Sequence, residues 1–203
     1  MKLPATTRLE AFSDAVFAII MTLLILEIHV PRLPEMSFIA IMTSLKPLMP
    51  KFLSFSISFF TMAIFWVNHH HFFNHIRHIN MKLLWFNVFF LFWMCILPFT
   101  TAFIGDYSNS GFVVAMYALN MSLCGASFTL MAWYAFLLAD LSTHVLTKPQ
   151  MKREIFKGVL GSAVYMLTLL FAFIWRPLAL VLLFVLPFMF VVPSFFATND
   201  DGA

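Results

Sequence analysis

Apolar residues occur along the chain in six stretches of about twenty residues each, a length that gives a helix of about 30 Å and so crosses the hydrocarbon core of a bilayer. The stretches are separated by short segments that contain helix-breaking residues: Pro31 and Pro34, Gly105 to Gly111, Pro149, and Pro177. The pattern therefore predicts six transmembrane helices, at approximately 8–29, 51–71, 83–105, 112–139, 155–175 and 177–197.

Composition supports a membrane location. Hydrophobic residues make up 62% of the sequence, charged residues make up 10%, and the mean hydropathy is +0.93. Soluble domains contain roughly 25% charged residues. The first apolar stretch is too long for a signal peptide and contains Asp14, so we expect it to be retained as a helix. We therefore expect an all-α integral membrane protein whose single domain spans residues 1–203.

Basic residues are distributed unevenly between the two sides of the predicted membrane. Eight of the twelve fall on the side of both termini, namely Lys2, Arg8, Arg77, Lys82, Lys148, Lys152, Arg153 and Lys157, and the other four are Arg32, Lys46, Lys51 and Arg176. Because Lys and Arg concentrate in cytoplasmic loops, we expect a protein of the cytoplasmic membrane with both termini inside the cell. The basic residues form no single patch, so the net charge of +3 does not indicate a nucleic-acid partner.

The first predicted helix combines an apolar stripe with ionisable residues. At 3.6 residues per turn, the stripe consists of Phe12, Ala15, Ile19, Leu23, Leu26 and Val30, with Thr22 and Glu27 at its margin. Asp14 lies on the opposite flank. An ionisable group at membrane depth costs at least a few kcal/mol, so it normally faces a protein partner or water. We interpret Arg8, Ser13 and Asp14 as a polar network that fixes this helix against its neighbours.

A sequence motif at the start of this helix resembles a known family. The motif R-x-x-x-F-S-D-A, formed by Arg8, Phe12, Ser13, Asp14 and Ala15 and followed by "VFAIIMTLLIL", resembles the beginning of the transmembrane protein 175 potassium channel family. Trp66 followed by His69, and Asn87 with "LPFT" at 97–100, support the resemblance. It implies the prokaryotic single-repeat branch, in which one six-helix unit assembles as a homotetramer.

The resemblance also implies a pore lined by the first helix. It places the constriction at Ile19, further apolar layers at Leu23 and Leu26, and the motif threonine at Thr22. Rings of bulky apolar side chains tend to dewet, which gates ions. As a hypothesis, the same rings select potassium over sodium because potassium loses its water more readily.

Glu27, at the outer end of the stripe, has two interpretations. Four copies would form an acidic ring that concentrates cations at the pore mouth. Alternatively, Glu27 pairs with Arg32 or Lys46 as an ordinary helix-end residue.

A cluster of histidines suggests a different function. The segment "WVNHHHFFNHIRH", residues 66–78, places His71, His75 and His78 near one face of a continuous helix, which allows a metal site. Outside the segment only His29 and His144 remain, too few for the repeated histidine boxes of membrane metalloenzymes. A helix end in the headgroup region, with Trp66 at the boundary, is the favoured interpretation. His69 is expected to bond to the polar network of the first helix, and histidines with pKa values near 6.5 would make activity respond to pH.

These observations lead to a potassium-selective, leak-like ion channel that is not an enzyme. We expect no metal and no cofactor, potassium as the permeant ion, and the bilayer and further copies of the same chain as partners. A histidine-dependent membrane metalloenzyme and a secondary cation transporter coupled through Asp14 remain alternatives.

Asn87 and Asn120 are expected to form interhelical hydrogen bonds. Gly158 and Ser162 permit a close helix contact, either within one subunit or between subunits.

Overall fold

The computed structural model describes residues 6–33, 35–143 and 147–196, with side chains described as far as Pro187 in the last helix. Within these residues the chain is helical, and an isolated bridge between Ile76 and Ser142 is the only β-type pairing. The helices are α1 Thr6–Leu26, α2 Phe38–Leu45, α3 Met49–Asn74, α4 Met81–Cys95, α5 Leu97–Tyr107, α6 Gly111–Trp133, α7 Lys148–Ile174 and α8 Arg176–Phe196.

These helices form six long helical segments, which confirms the predicted fold class. Five are long and apolar enough to cross a membrane, namely Thr6–Leu26, Phe38–Asn74, Met81–Tyr107, Gly111–Leu138 and Lys148–Ile174. The sixth is α8, which is apolar over Arg176–Pro187. Only Trp175 separates α7 from α8, as the sequence predicts for this tight connection.

Prolines divide two of the long segments. The second segment begins at Phe38, well before the predicted start at residue 51, because α2 precedes a 3₁₀ turn at Lys46–Leu48 that contains Pro47. The third segment bends at Ile96, next to Pro98 at the start of α5. Proline lacks the N–H that a continuous helix needs, so each of the two interruptions occurs next to a proline.

Hydrogen bonds of one side chain and of the backbone fix the connections on one side of the helical bundle. The Asn80 side chain caps α4 by accepting a hydrogen bond from the Leu83 amide at 2.8 Å. The Arg77 amide donates to the Leu141 carbonyl at 2.8 Å, and the Thr143 amide donates to the His75 carbonyl at 2.9 Å. The α3–α4 and α6–α7 connections are therefore joined through their backbones.

Helix α6 occupies the centre of the bundle, where it packs against α4, α5, α7 and α8. Its contact with α7 is close because small residues meet there. A Cβ atom added at Gly125 would lie 2.6 Å from the Ser162 hydroxyl, and one added at Gly158 would overlap the Thr129 hydroxyl. The small residues of α7 therefore serve a contact within one chain.

Helix α1 lies on the other side of the bundle, against α3, α4 and α5. One face is buried in these contacts and consists of Leu9, Ser13, Phe17, Ile20 and Leu24. The opposite face has no covering element in the described chain.

Candidate pore helix and its polar network

The uncovered face of α1 contains the residues to which the family resemblance gives a place in a pore. Ile19, Leu23 and Leu26 are 58%, 42% and 67% exposed, and Phe12 is 54% exposed. Thr22 is also exposed, and its hydroxyl donates to the Ile19 carbonyl at 2.8 Å. Large apolar side chains on one continuous strip of a helix require another covering, either lipid or further copies of the chain.

The buried face of α1 is held by a chain of hydrogen bonds through Asn87 of α4. The Asn87 Nδ2 group donates to Ser13 Oγ at 3.0 Å, and Asn87 Oδ1 accepts from His69 Nε2 at 2.8 Å. Ser13 Oγ donates in turn to the Leu9 carbonyl at 2.9 Å. Ser13, His69 and Asn87 are all at most 1% exposed, so the chain joins α1, α3 and α4 away from water.

Aromatic side chains surround the His69 imidazole. Its ring centroid lies 4.7 Å from that of Phe73, 5.5 Å from that of Phe17 and 5.9 Å from that of Phe90. In so apolar a setting a polar group is stable only when it is hydrogen-bonded, and Asn87 provides that bond. His69 is thereby fixed in position and separated from the exposed histidines that follow it.

Asp14 has a separate partner. Trp66 Nε1 of α3 donates to Asp14 Oδ1 at 3.0 Å, and the Trp66 ring stacks on His70 with the centroids 6.4 Å apart. Both Asp14 and Trp66 are partly accessible, so this bond lies at the edge of the helix contact.

The predicted network therefore divides into three parts. Ser13 and His69 belong to the buried chain, and Asp14 and Trp66 form the second bond. Arg8 is exposed and forms no hydrogen bond or ion pair with the described residues, and Phe12 lies on the uncovered face. Asn87 and Asn120 both bond between helices as expected, the latter donating to Thr100 Oγ1 at 3.3 Å.

The central position of Asn87 was not foreseen from the sequence. The signal for it is a lone amide in the otherwise apolar stretch "LLWFNVFFLF", because such a group requires a partner inside the membrane. Nothing in the spacing identifies Ser13 and His69 as the two partners, since they lie on different helices.

Glu27 follows the last residue of α1 and is exposed. It makes no ion pair with Arg32, Lys46 or any other residue in the described ranges. Lys51 lies close by, since it lines the same small cavity as Glu27, but its ammonium group pairs with Asp106 at 2.6 Å. The acidic group at the end of the stripe is therefore not neutralised within the described part of the chain.

The helical premise for a histidine metal site is wrong. Helix α3 ends at Asn74, so His75 is the residue after the helix and His78 lies in the connection to α4. His71, His75 and His78 therefore do not share a helical face. Among the described residues no three His, Cys, Asp or Glu side chains are grouped as metal ligands, and His144 lies outside them. The histidines that follow His69 instead end one helix and turn the chain.

Comparison with known proteins agrees with this arrangement. The family model described as "Endosomal/lysosomal potassium channel TMEM175" matches residues 8–98, which include most of α1, the Trp66–His69 region and Asn87. A potassium channel of Streptomyces collinus is 32% identical over 177 residues, or 85% of each chain. A potassium channel of Chryseobacterium sp. strain P1-3 is 37% identical over 124 residues, which are 61% of this chain and 62% of that relative's length.

A solved structure extends the similarity to the fold. The crystal structure of a lysosomal potassium-selective channel TMEM175 homolog from Chamaesiphon minutus superposes with a TM-score of 0.82 at 29% identity, covering 93% of this chain and 97% of the other. The matched proteins are ion channels and not enzymes, as the sequence led us to expect. The chain is a multi-pass membrane protein that belongs to the TMEM175 ion channel family.

Proposed function

We propose that this chain forms a potassium-selective, leak-like channel in the cytoplasmic membrane, with the uncovered stripe of α1 lining the pore. The observation that carries the proposal is the asymmetry of α1: one face is fixed by buried hydrogen bonds, whereas Ile19, Leu23 and Leu26 face outward. The potassium channel names of the bacterial relatives supply the ion.

A pore on this face requires several copies of the chain, because a single α1 helix cannot enclose a channel. We propose a homotetramer in which four α1 helices surround a common axis. Lipid alone would satisfy an apolar stripe, but Thr22 is exposed at its margin and Glu27 is exposed directly after the end of the helix. Polar groups at membrane depth favour a water-filled lumen over contact with lipid tails.

The family resemblance of the first-helix motif gives each layer of the stripe a proposed role. A ring of Ile19 side chains forms the constriction, with Leu23 and Leu26 as apolar layers on the way to the mouth. Water leaves such a throat readily, so the passage of an ion depends on the cost of removing its hydration shell. That cost is lower for potassium than for sodium. The Thr22 hydroxyl donates its hydrogen to the Ile19 carbonyl. The lone pairs of the Thr22 oxygen therefore remain available to the ion.

Glu27 supplies negative charge at the proposed mouth. Because Asp106 holds Lys51 at 2.6 Å, Glu27 keeps its charge available to attract cations. Four such groups raise the local potassium concentration, and salt weakens this effect.

Potassium flux from liposomes that contain Ile19→Asn protein tests the proposal. The amide wets the constriction, so we expect faster flux and a lower ratio of potassium to sodium permeability. Ile25→Asn is the matched control, since Ile25 is an exposed apolar residue of α1 away from the stripe. An unchanged permeability ratio in Ile19→Asn, or equal changes in both variants, would refute a constriction at Ile19.

Single-channel recording separates a channel from a transporter that uses Asp14. Discrete current steps require many ions per opening, whereas a transporter moves few ions per conformational cycle. We expect discrete steps from the reconstituted protein, and their absence together with substrate-coupled flux would favour the transporter.

A further inference from the structure

A long apolar groove follows the contact between α6 and α7. Its volume is about 480 Å³, and its walls include Ala126, Leu130 and Trp133 of α6 with Ile155, Val159 and Met166 of α7. The groove is open along its length and therefore accepts an extended ligand from the side.

The few hydroxyl groups that line the groove already donate hydrogen bonds to backbone carbonyls. Ser122 Oγ donates to the Ser162 carbonyl at 3.0 Å, Thr129 Oγ1 to the Gly125 carbonyl at 2.7 Å, and Ser162 Oγ to the Gly158 carbonyl at 2.9 Å. No free donor is thus directed into the groove from these side chains. Its walls suit a hydrocarbon chain and offer little to a polar ligand.

The length of the groove matches one leaflet of a bilayer. From Ile155 to Met166 the groove follows three turns of α7, about 16 Å at 1.5 Å per residue. Half of a hydrocarbon core of about 30 Å is roughly 15 Å. One acyl chain of a phospholipid therefore fits the groove from end to end.

Two basic residues lie just beyond one end of the groove. Lys152 lies three residues before Ile155, and Lys148 lies four residues before Lys152, so both are on the side of α7 that faces the groove. Both are exposed, and neither pairs with an acidic group in the described ranges. Trp133 lies at the same end, where its ring suits the boundary between lipid tails and headgroups.

We propose that this groove binds an anionic glycerophospholipid, with one acyl chain between α6 and α7 and the phosphate at Lys152 and Lys148. Lysine side chains extend along the apolar surface and place their charge among the headgroups, so the two lysines are suited to bind a phosphate there. Lys157 is different, because it pairs with Glu154 at 2.7 Å and lies on another face of α7.

Lipid fits this surface better than a second copy of the chain. Helix α1 packs on α3, α4 and α5, whereas α7 packs on α6 and α8, so the groove lies away from α1. If α1 surrounds the common axis, the groove faces the bilayer. This step rests on the proposed function, but lipid binding is measured without any flux assay.

Native mass spectrometry of the purified oligomer tests the proposal with added phosphatidylglycerol or phosphatidylcholine. We expect up to one tightly held phosphatidylglycerol per protomer and weaker retention of phosphatidylcholine. Lys152→Gln should weaken phosphatidylglycerol binding about fivefold, as expected for one basic residue at a membrane surface. Lys157→Gln is the matched control and should leave binding unchanged.

A second pair of variants tests the acyl chain site. Ala126→Phe fills the groove and should reduce retention of both lipids, whereas Val181→Phe on exposed α8 should not. Equal affinity for the two lipids, or equal effects of Lys152→Gln and Lys157→Gln, would overturn the proposal. Dissociation of the oligomer by Ala126→Phe would also overturn it, because the groove would then be a subunit interface. Selective phosphatidylglycerol binding without potassium flux would support the lipid site while refuting the proposed channel.

Discussion

Helices α1 and α7 are held to the bundle in different ways. Helix α7 lies close against α6 because Gly125 and Gly158 leave space for Ser162 and Thr129. Helix α1 is attached along one face, through the Asn87 hydrogen bonds and apolar contacts, and the other face is left without a covering.

This difference separates residues that maintain the fold from residues available for conduction. A change at the α6–α7 contact or at Asn87 disturbs buried groups of a single chain. A change on the α1 stripe leaves those groups intact and alters the surface on which the proposed pore depends. The expected effects of substitution therefore fall in a defined order.

The largest loss of stability is expected for Gly158→Val. Its side chain would overlap the Thr129 hydroxyl, and overpacking of this kind costs about 3 kcal/mol. Thermal unfolding in detergent measures the loss. Adding Thr129→Ala should restore part of the stability, whereas Ala163→Val, on an exposed part of the same helix, should have little effect. Equal losses for Gly158→Val and Ala163→Val would show that the two helices are not in close contact.

Asn87→Ala tests the attachment of α1. The substitution removes two interhelical hydrogen bonds and leaves the His69 imidazole without its partner, so we expect a loss of about 2 kcal/mol. The matched control is Asn74→Ala, at an exposed position at the end of α3. If the two variants unfold at the same temperature, the buried chain does not stabilise α1.

Trp66→Phe removes the bond to Asp14 at the accessible edge of the same contact. Because that site is partly wet, we expect a loss of about 1 kcal/mol or less in the same unfolding assay. Asp14→Asn keeps an oxygen that accepts from Trp66, so it should retain both stability and potassium flux. Loss of flux in Asp14→Asn at unchanged stability would instead favour a transporter coupled through this carboxylate.

The smallest effect is expected at the outer end of the stripe. Asp106→Asn releases Lys51, which lies close to Glu27, so we expect about a twofold lower potassium flux at low ionic strength. The effect should disappear at high salt and in the double variant Lys51→Met/Asp106→Asn. A reduction that persists in the double variant would show that Asp106 acts without Lys51.

Much of the fold follows from apolar length and proline placement. Six stretches and their breaks predict the six helical segments, including the short connection at Trp175. Helix α2 is absent from the predicted set because its eight residues are too few to cross a membrane and Pro47 lies just beyond its end. The apolar pattern does not distinguish a helix interrupted by a turn from a helix that begins after it.

The candidate site was predictable in part. The period of the first helix identifies the stripe of Ile19, Leu23 and Leu26, and the cost of a buried charge indicates that Asp14 needs a partner. Pairing across helices depends on tertiary packing, so the link between Ser13, Asn87 and His69 does not follow from spacing. The favoured interpretation of the histidine segment, a helix end, agrees with α3, which ends at Asn74. Only the alternative metal site required a helix that continues to His78, and histidine gives no clear signal for or against such a continuation.

Chemical modification of Leu23→Cys tests the central claim, that water and ions meet on the uncovered face of α1. Exposed Cys95 is first replaced by Ala, and buried Cys124 is kept. A membrane-impermeant, cationic thiol reagent should modify the Leu23→Cys protein in liposomes and reduce its potassium flux, while Leu160→Cys, on exposed α7, should stay unmodified. If the two variants are equally unreactive and flux is unchanged, the stripe faces lipid and does not line the pore.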